Sequence, residues 1–590
     1  MPSFSKALNA TRRFLQNDQL VLAILSLVVG LAVAWMVVLL REGIAFFHGQ
    51  FFGAEGERLY EYVAVLPWWQ VLLVPTVGGL AVGLLIRFGM PDARPQGVAD
   101  VIEASALRGG HMSMMVGLRA AFINALSIGV GASVGREGPA VHFGAALAAS
   151  IAKRLHLTRT LSRTLLGCGV AAAVAASFNA PIAGALFAGE VVIGHYALKT
   201  FAPVVIASVT GTAVSRALYG DFPAFVLPPH AITSYLELPA FAILGVLAGI
   251  TATVMMLGIF RTQDFSQRLP GPKCLRPALG GLAVGLIALV LPQVLGVGYG
   301  ATDDALSGLM GLWLLLAVLA GKVLATAISL GMGFGGGIFS PSLMVGAMLG
   351  GAYGIIATGL VPAVDSGIGG YTLVGMGAVA AATLGAPIST TLIIFEMTGD
   401  YELTLGVMLA VVISTAITRQ MLGRTFFTMQ LDRRGLDLKG GFERQLLRAR
   451  FVADVMTDTP ETAETVAPGV TLSQLRTMLQ ISRTGELFVV SEAGKLVGTI
   501  TLADLSETAF DPAMDMLINA ADVTRRRPPV LMADDHLETA LKKMADSGES
   551  LIGVIDNKEN RAFLGAVEEK HVMAAYNRDL LRARHEERDD

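Results

Sequence analysis

Two short segments bounded by glycine and proline have the residue types of an anion-binding site. They are Gly135–Pro139, with the sequence GREGP, and Gly337–Pro341, with the sequence GIFSP. Proline is tolerated at the start of a helix, where its missing N–H group costs nothing, so each segment predicts the beginning of a helix. A helix N-terminus carries roughly half a positive charge and several free N–H groups, so two such ends that converge would bind an anion. Partial charges let the anion leave again, whereas a lysine or arginine would hold it too tightly for transport.

Glu137 adds an ionisable carboxyl group to the first of these segments. Such a residue within a membrane segment is a functional hypothesis in its own right, and a carboxylate beside an anion site could occupy that site in place of the substrate. We therefore predict that Glu137 is a gate, which swings away when it is protonated. The alternative is a carboxylate that only caps the helix. Arg136 is expected at the same site, as an ion-pair partner rather than as an anion ligand.

Apolar segments surround these motifs and predict the membrane helices that must position them. Those that span, or nearly span, a bilayer lie near residues 20–40, 70–88, 116–130, 199–217, 237–258, 276–292, 311–330 and 402–421. Shorter pieces, broken by glycine and proline, lie near 98–107, 139–151, 164–176, 181–193, 338–358, 371–380 and 387–398. We predict that these shorter pieces end inside the membrane, where the backbone must be buried in protein or line a cavity. The broken helices therefore indicate the pathway.

The membrane part contains an internal repeat. The pattern APIxxxLxxxE at residues 180–190 recurs at 386–396, and the pattern P-x4-GAxL at 139–147 recurs at 341–349. Two matches in the same order at nearly the same offset indicate a duplication, with halves near 70–220 and 275–430. Duplicated halves with interrupted short helices are typical of transporters whose substrate binds at the interface between the repeats.

The composition supports a membrane protein and excludes other classes. Of the 590 residues, 53% are hydrophobic and 15% are charged, against about 25% charged in soluble domains. The net charge of -3 leaves no basic excess for binding nucleic acid. Cys168 and Cys274 lie in apolar runs without metal-ligand spacing, so we expect no metal site and two buried cysteines.

The N-terminal sequence predicts how the chain enters the membrane. Lys6, Arg12 and Arg13 precede the long apolar stretch Leu20–Leu40, which is longer than a signal-peptide core. We interpret this stretch as a retained first membrane helix, and the positive charges favour a cytoplasmic N-terminus. The expectation is a multi-pass protein of a bacterial inner membrane with both termini in the cytoplasm.

Taken in order, these motifs resemble the CLC family of chloride channels and proton-coupled chloride exchangers. The shared elements are GREGP, GIFSP, residues 295–300 (LGVGYG), the paired API patterns and residues 396–401 (EMTGDY), so the resemblance spans about residues 20–435. It implies an all-α polytopic membrane domain of two inverted repeats, a homodimer, and one anion pathway per subunit. It also implies that Glu137 is the external gate. The backbone N–H groups of Ile338 and Phe339 would bind chloride, with Gly138 beside them.

Three positions depart from the family pattern. Gln96, which precedes Gly97 in the stretch PQGVA, stands where most members have a serine, and its amide could still donate a hydrogen bond. Phe427 stands where a tyrosine hydroxyl usually closes the inner side of the site, so one polar ligand is lost. Val191 stands where exchangers carry an acid, which puts the inner proton relay in doubt. Glu190 is a candidate substitute, although one helical residue turns the side chain by about 100°.

Charged residues return near residue 435, and the remaining chain resembles tandem CBS domains. Thr501 and Asp504, in the stretch GTITLAD, match the nucleotide-contacting pattern, whereas the second module has Glu568 and His571 at those positions. We therefore expect at most one adenine-nucleotide site, or a dimerisation module that binds nothing. The domains are predicted as an N-terminal segment (1–19), a transport domain (20–435), a linker (436–452), CBS modules (453–510 and 511–578) and a charged tail (579–590).

Several polar residues in apolar segments have ordinary interpretations. His142 and His195 are expected to be packed rings rather than ligands, and Glu103 a structural acid. Lys322 is expected to pair with another group or to snorkel inside the bundle.

The expected function is chloride transport, channel-like or loosely coupled to protons, regulated by the CBS tail and requiring no cofactor. A strictly coupled proton/chloride antiporter is the main alternative. A CBS-regulated metal-ion transporter is a distant one, because cation passage calls for clustered carboxylates in the membrane. A membrane-bound enzyme or a pure sensor finds no support, since the chain contains no catalytic set or phosphate loop.

Overall fold

The chain folds into two units, residues 1–438 and 439–590, each of which is described by itself. The computed structural model describes residues 18–56, 58–220, 237–360, 367–436, 447, 450–456, 464–505, 512–557 and 559–589. The charged residues Lys6, Arg12 and Arg13, and most of the predicted linker 436–452, lie outside the described residues.

The first unit is built from helices. Their bounds are α1 Asp18–Phe52, α2 Leu59–Val63, α3 Trp68–Gly89, α4 Val98–Leu107, α5 Met114–Gly129, α6 Glu137–Arg154, α7 Arg159–Phe178, α8 Pro181–Phe187 (followed by a π-helical turn, Ala188–Ile193), α9 Leu198–Tyr219, α10 Leu238–Arg268, α11 Arg276–Ala288, α12 Tyr299–Leu306, α13 Leu312–Gly331, α14 Phe339–Leu360, α15 Gly367–Leu384, α16 Pro387–Thr398, α17 Tyr401–Leu422 and α18 Phe426–Asp432. Within the described residues, nine helices are long and apolar enough to cross a membrane.

Three segments predicted to be too short to cross are full-length helices, and that prediction was wrong. They are α7, α14 and α15, with 20, 22 and 18 residues. The most apolar windows of α7 and α15 are 83% buried inside the protein. Helices surrounded by protein rather than lipid can be built from alanine and glycine, so their hydropathy underestimates their length.

Glycines let the repeated helices pack backbone to backbone. A Cβ atom on Gly169 in α7 would lie 2.3 Å from the carbonyl oxygen of Gly144 in α6, and a Cβ on Gly346 in α14 would lie 2.3 Å from the carbonyl oxygen of Gly375 in α15. Gly346 and Gly375 occupy the repeat positions of Gly144 and Gly169. The close packing is therefore itself duplicated, as expected for small residues at helix contacts in lipid.

The second unit contains two β–α–β–β modules. Their elements are β1 Thr465–Val466, α19 Leu472–Ile481, β2 Glu486–Val490 and β3 Leu496–Thr501, then α20 Ala520–Val523, β4 Arg525–Arg526, β5 Val530–Met532, α21 Leu537–Ser547, β6 Leu551–Ile555, β7 Phe563–Glu568 and α22 Glu569–Asp589. One sheet has the order β1-β2-β3-β4 and the other β5-β6-β7. In each, the first pair of strands is parallel and the next is antiparallel.

The two modules exchange segments at their beginnings. Val452, near the start of the predicted first module, packs with Leu531 and Ile552 of the second. Ala520, in the predicted second module, packs with Leu472 in the first. Strand β4 likewise pairs with β3. Each hydrophobic core therefore contains residues that the sequence assigned to the other module.

Candidate functional site

The two glycine- and proline-bounded segments meet through their backbones. The N–H group of Gly135 donates to the carbonyl of Gly337 at 2.7 Å, and the N–H group of Gly337 donates to the carbonyl of Gly135 at 2.8 Å. Helix α6 begins two residues after the first glycine and α14 two residues after the second. A Cβ atom on Gly138 would lie 2.9 Å from the Cα of Gly337, so only glycine fits there. The starts of both helices are thereby held together.

A cavity of about 420 Å³, here called the central cavity, lies at this meeting point. Its lining includes most of the residues predicted from sequence, namely Gln96, Gly97, Glu137, Gly138, Ile338, Phe339 and Phe427. These residues come from the segment before α4, the starts of α6 and α14, and the beginning of α18. The cavity therefore gathers residues that are more than 300 positions apart in sequence.

The Glu137 side chain is buried, with 1% of it exposed, and is surrounded by hydrogen-bond donors. Its Oε1 accepts from the hydroxyl of Tyr299 at 2.7 Å, and its Oε2 accepts from the hydroxyl of Ser340. The Arg136 Nε lies 3.9 Å from Oε1. The carboxylate of α6 thus lies against the first turn of α14, where the partial positive charge of that helix is concentrated.

A second cavity of about 280 Å³ contains Tyr299 and Arg136 in its lining and is here called the Tyr299 cavity. The Arg136 guanidinium lies 4.6 Å above the centre of the Tyr299 ring. Arg136 does not line the central cavity, so the structure does not bring it together with the other predicted anion-binding residues. Glu137 lines the central cavity and is hydrogen-bonded to Tyr299, which lines the other cavity.

Gln96 is held by a histidine that the sequence did not single out as part of the site. The Nε2 of His142, in α6, lies 3.1 Å from the amide oxygen of Gln96, and the other ring nitrogen has no hydrogen-bond partner among the described residues. The nearby backbone is fixed as well, because the Gly97 N–H donates to Asp100 at 2.8 Å. With the amide oxygen occupied by the imidazole, the NH₂ group is the part of Gln96 that can donate to an anion.

The beginning of α18 contributes aromatic rings to the wall of the central cavity. Phe427 is buried and packs edge-on against Phe426, with ring centres 5.7 Å apart. Phe339 packs against Phe178 at 4.8 Å. Phe427 therefore places a ring where a tyrosine would place a hydroxyl group, and this wall offers the cavity no side-chain donor from that position.

Charged residues line another part of the central cavity. Arg434 and Arg94 both bind the carboxylate of Asp100, at 3.0 and 2.7 Å. Arg433 binds Asp264 at 2.5 Å. These ion pairs, which the sequence analysis did not identify, fix α4 and the end of α18 to their neighbours.

Glu190 and Glu396 bind the beginnings of each other's repeat helices. The Glu190 carboxylate accepts from the N–H groups of Ile388 at 3.0 Å and Ser389 at 2.8 Å, and from the Ser389 hydroxyl at 2.8 Å. The Glu396 carboxylate accepts from the N–H groups of Ile182 at 2.8 Å and Ala183 at 2.7 Å.

This reciprocal capping was missed at the sequence level, although the repeated APIxxxLxxxE pattern contains both partners. Neither glutamate lines the central cavity or the Tyr299 cavity. Val191, beside Glu190, packs against the hydrophobic core.

Lys322 pairs inside the helix bundle, as expected from the sequence, but its partners are backbone carbonyl groups rather than a carboxylate among the described residues. Its side chain is fully buried in α13, and its ammonium donates to the carbonyl oxygens of Val294 at 3.0 Å and Gly296 at 2.8 Å. Backbone carbonyls, which the sequence pattern does not display, satisfy the charge instead.

In the second unit, Thr501 and Asp504 are bonded to each other. The Thr501 N–H and hydroxyl donate to Asp504 at 2.8 and 2.7 Å. In the other module, Glu568 pairs with Lys570. Burial raises the pKa of Glu486, at the start of β2, to about 7, and the nearby carboxylate of Glu549 adds to the rise.

The chain matches the family described as voltage gated chloride channel over residues 78–419 and the CBS domain family over residues 452–510. It is 36% identical over 387 residues to a ClcB-like chloride channel protein of Ralstonia nicotianae, covering 65% of this chain and 90% of that protein. It is 32% identical over 403 residues to the voltage-gated ClC-type chloride channel ClcB of Escherichia coli, covering 68% and 96%.

Two solved structures share the fold. A slow cyanobacterial Cl⁻/H⁺ antiporter superposes with a TM-score of 0.63 at 23% identity, over 70% of this chain and 97% of that one. A eukaryotic CLC transporter superposes with a TM-score of 0.61 at 18% identity, over 93% of this chain and 97% of that one. At these identities, the superpositions establish the architecture only.

Proposed function

The chain belongs to the voltage-gated chloride channel family, a family of ion channels and transporters rather than enzymes, and on that premise we propose that it carries chloride across the membrane through the central cavity, gated by Glu137. It is a multi-pass membrane protein. Its homodimeric assembly and its place in a bacterial inner membrane, with both termini in the cytoplasm, are part of the same proposal.

The observation that carries the proposal is the position of the Glu137 carboxylate at the joined starts of α6 and α14. Backbone N–H groups and helix dipoles at such ends attract a negative charge, and here they face a negative side chain on a flexible tether. A chloride ion that reaches Ile338 and Phe339 would compete with this carboxylate. Protonation removes its charge, weakens the hydrogen bonds from Tyr299 and Ser340, and leaves the position to the anion.

The transport is proposed to be channel-like or only loosely coupled to protons. Val191 cannot carry a proton, and its side chain packs in the core. Glu190 accepts three hydrogen bonds through its carboxylate, and taking up a proton would weaken them. These contacts favour a structural acid over a proton relay. A strictly coupled antiporter is the outcome that the experiment below can establish instead.

The tail is proposed to regulate transport through at most one adenine-nucleotide site per subunit. Thr501 and Asp504 carry the functional groups that would contact phosphate and ribose, whereas Glu568 in the second module repels phosphate. Their mutual hydrogen bond keeps the two side chains adjacent.

Flux through liposomes containing the purified protein tests the gate. Glu137→Gln resembles the protonated carboxyl group, so anion flux should persist or rise while its acid response disappears. Glu402→Gln, an exposed acid in α17, is the matched control and should retain the response. An unchanged acid response in Glu137→Gln would overturn the proposal.

Crossed chloride and pH gradients test the coupling. For a channel, the reversal potential should not change when the pH gradient is changed. Uphill proton movement at a fixed ratio to chloride would establish an antiporter. The same measurement on Glu190→Gln would then show whether that carboxylate serves as the relay.

A further inference from the structure

The buried ammonium of Lys322 supports the loop that leads into Tyr299. Helix α13 is otherwise apolar, and a charge buried among apolar residues is costly unless it is paired and hydrogen-bonded. Both carbonyl groups that accept from Lys322, those of Val294 and Gly296, belong to the segment between α11 and α12. One side chain therefore holds two points of a single loop.

The loop has little regular structure of its own to fix it. Gly296 and Gly298 have φ angles of +61° and +94°, in the left-handed region that favours glycine. A Cβ atom on Gly298 would lie 3.3 Å from the Lys322 Nζ and 2.2 Å from the Met344 sulfur, so these two side chains fill the space beneath the glycine. Removal of the ammonium would leave two buried carbonyl groups without their donor.

Tyr299 follows this loop directly and connects it to the gate. Its hydroxyl donates to Glu137 at 2.7 Å, while the Arg136 guanidinium lies over its ring. The polar groups that face the Glu137 carboxylate are the Tyr299 hydroxyl, the Ser340 hydroxyl and the Arg136 guanidinium. Of these, Tyr299 is the one whose backbone position depends on the loop.

We propose that Lys322 is a positioning residue for the gate: by holding the carbonyls of Val294 and Gly296, it aims the Tyr299 hydroxyl at the carboxylate of Glu137. The inference rests on the proposed gating by Glu137. A hydrogen bond to a carboxylate stabilises its charged form, so loss of the Tyr299 contact should let protons open the gate at a higher pH.

A double-mutant cycle on the acid response of chloride flux tests the inference. Tyr299→Phe should move the pH of half-activation upward by about one pH unit, the size expected for one hydrogen bond to a charged group. Lys322→Met should move it in the same direction. The double variant should show no more than the larger single shift, because both changes remove the same contact. Additive shifts, or no shift in Lys322→Met, would overturn the inference.

Two further variants separate positioning from packing and from charge. Lys322→Gln keeps N–H donors for the loop carbonyls without the charge, so it should shift the pH of half-activation less than Lys322→Met does. The same variant tests the inference if Lys322→Met does not fold. Val318→Ala removes buried side chain one turn away on α13 and should leave the half-activation pH unchanged. A shift in Val318→Ala as large as that in Lys322→Met would identify a packing effect.

The proposed function and this inference can fail separately. If Glu137→Gln keeps its acid response, the gate assignment fails. If Glu137→Gln loses the response while the Lys322 and Tyr299 variants act independently, the gate stands and only the positioning role falls.

Discussion

The imidazole Nε2 of His142 and the amide oxygen of Gln96 lie 3.1 Å apart at the buried wall of the central cavity. The two residues are on different elements, since His142 lies in α6 with Glu137 and Gln96 precedes α4. Helix α6 thus fixes the orientation of the Gln96 side chain.

This pair predicts that anion selectivity depends on a histidine that need not touch the anion. In His142→Phe the amide of Gln96 can rotate and present its oxygen, which repels chloride, so discrimination between chloride and nitrate should weaken. Reversal potentials under bi-ionic conditions measure this. His195→Phe, at an exposed histidine, is the control. Unaltered selectivity in His142→Phe would mean that the Gln96 amide does not orient towards the pathway.

Phe427→Tyr is predicted to sharpen selectivity for chloride. The Phe427 ring already lines the central cavity, so a hydroxyl group added to it would supply a hydrogen-bond donor at a position that has none. The unmodified protein should discriminate weakly among chloride, bromide and nitrate. Strong chloride selectivity before any substitution would contradict the argument from a lost ligand.

Glu190→Gln is predicted to destabilise the membrane unit. The substitution removes the charge from a carboxylate that accepts three hydrogen bonds, and such charge-assisted bonds contribute about 1.5–3 kcal/mol each. The apparent unfolding temperature in detergent should fall, and Glu396→Gln should lower it similarly. Glu402→Gln is the exposed control. If both capping variants unfold like the control, the reciprocal caps do not stabilise the fold.

Adenine nucleotide should bind the full-length protein with a stoichiometry of at most one per subunit. Asp504→Ala should abolish the heat of binding in titration calorimetry. Asp522→Ala is a close control, because Asp522 also accepts from a backbone N–H three residues earlier, at 3.0 Å, but in the turn that begins α20. Two equivalent sites, or binding that survives Asp504→Ala, would refute the assignment.

The second unit should lose stability as the pH rises towards neutrality. The folded-state pKa of Glu486 is about 7, above its usual value of 4.5, so the protonated form is favoured by folding. Its contribution is fully present below about pH 4.5 and is lost as the pH rises through about 7.

Hydrogen exchange in β2, corrected for intrinsic rates, can measure this in the full-length protein. Protection should be lower at pH 8 than at pH 5.5, and Glu486→Gln should reduce that difference. Equal pH dependence in the two proteins would rule out Glu486 as the source.

The sequence predicted much of the membrane architecture because apolar stretches and helix starts are local signals. GREGP and GIFSP each predict a helix start, and the repeat shows that the two belong together, whereas Gln96 and Phe427 were assigned to the site only by the resemblance to the CLC family. The partners Tyr299, Ser340 and His142 could not be found this way, because their roles depend on which helices become neighbours. Helix length was underestimated for α7 and α15, where alanine and glycine replace larger apolar residues.

The reciprocal caps also constrain how the protein can be made. The N–H groups of Ile182 and Ala183 receive their acceptor from Glu396, which the ribosome adds more than 200 residues later. Until Glu396 is added, these two N–H groups at the start of α8 lack their acceptor, so we expect the first half not to reach its final structure by itself. Biogenesis should therefore show a late, concerted step in which both halves lock together, and neither half expressed alone should be stable.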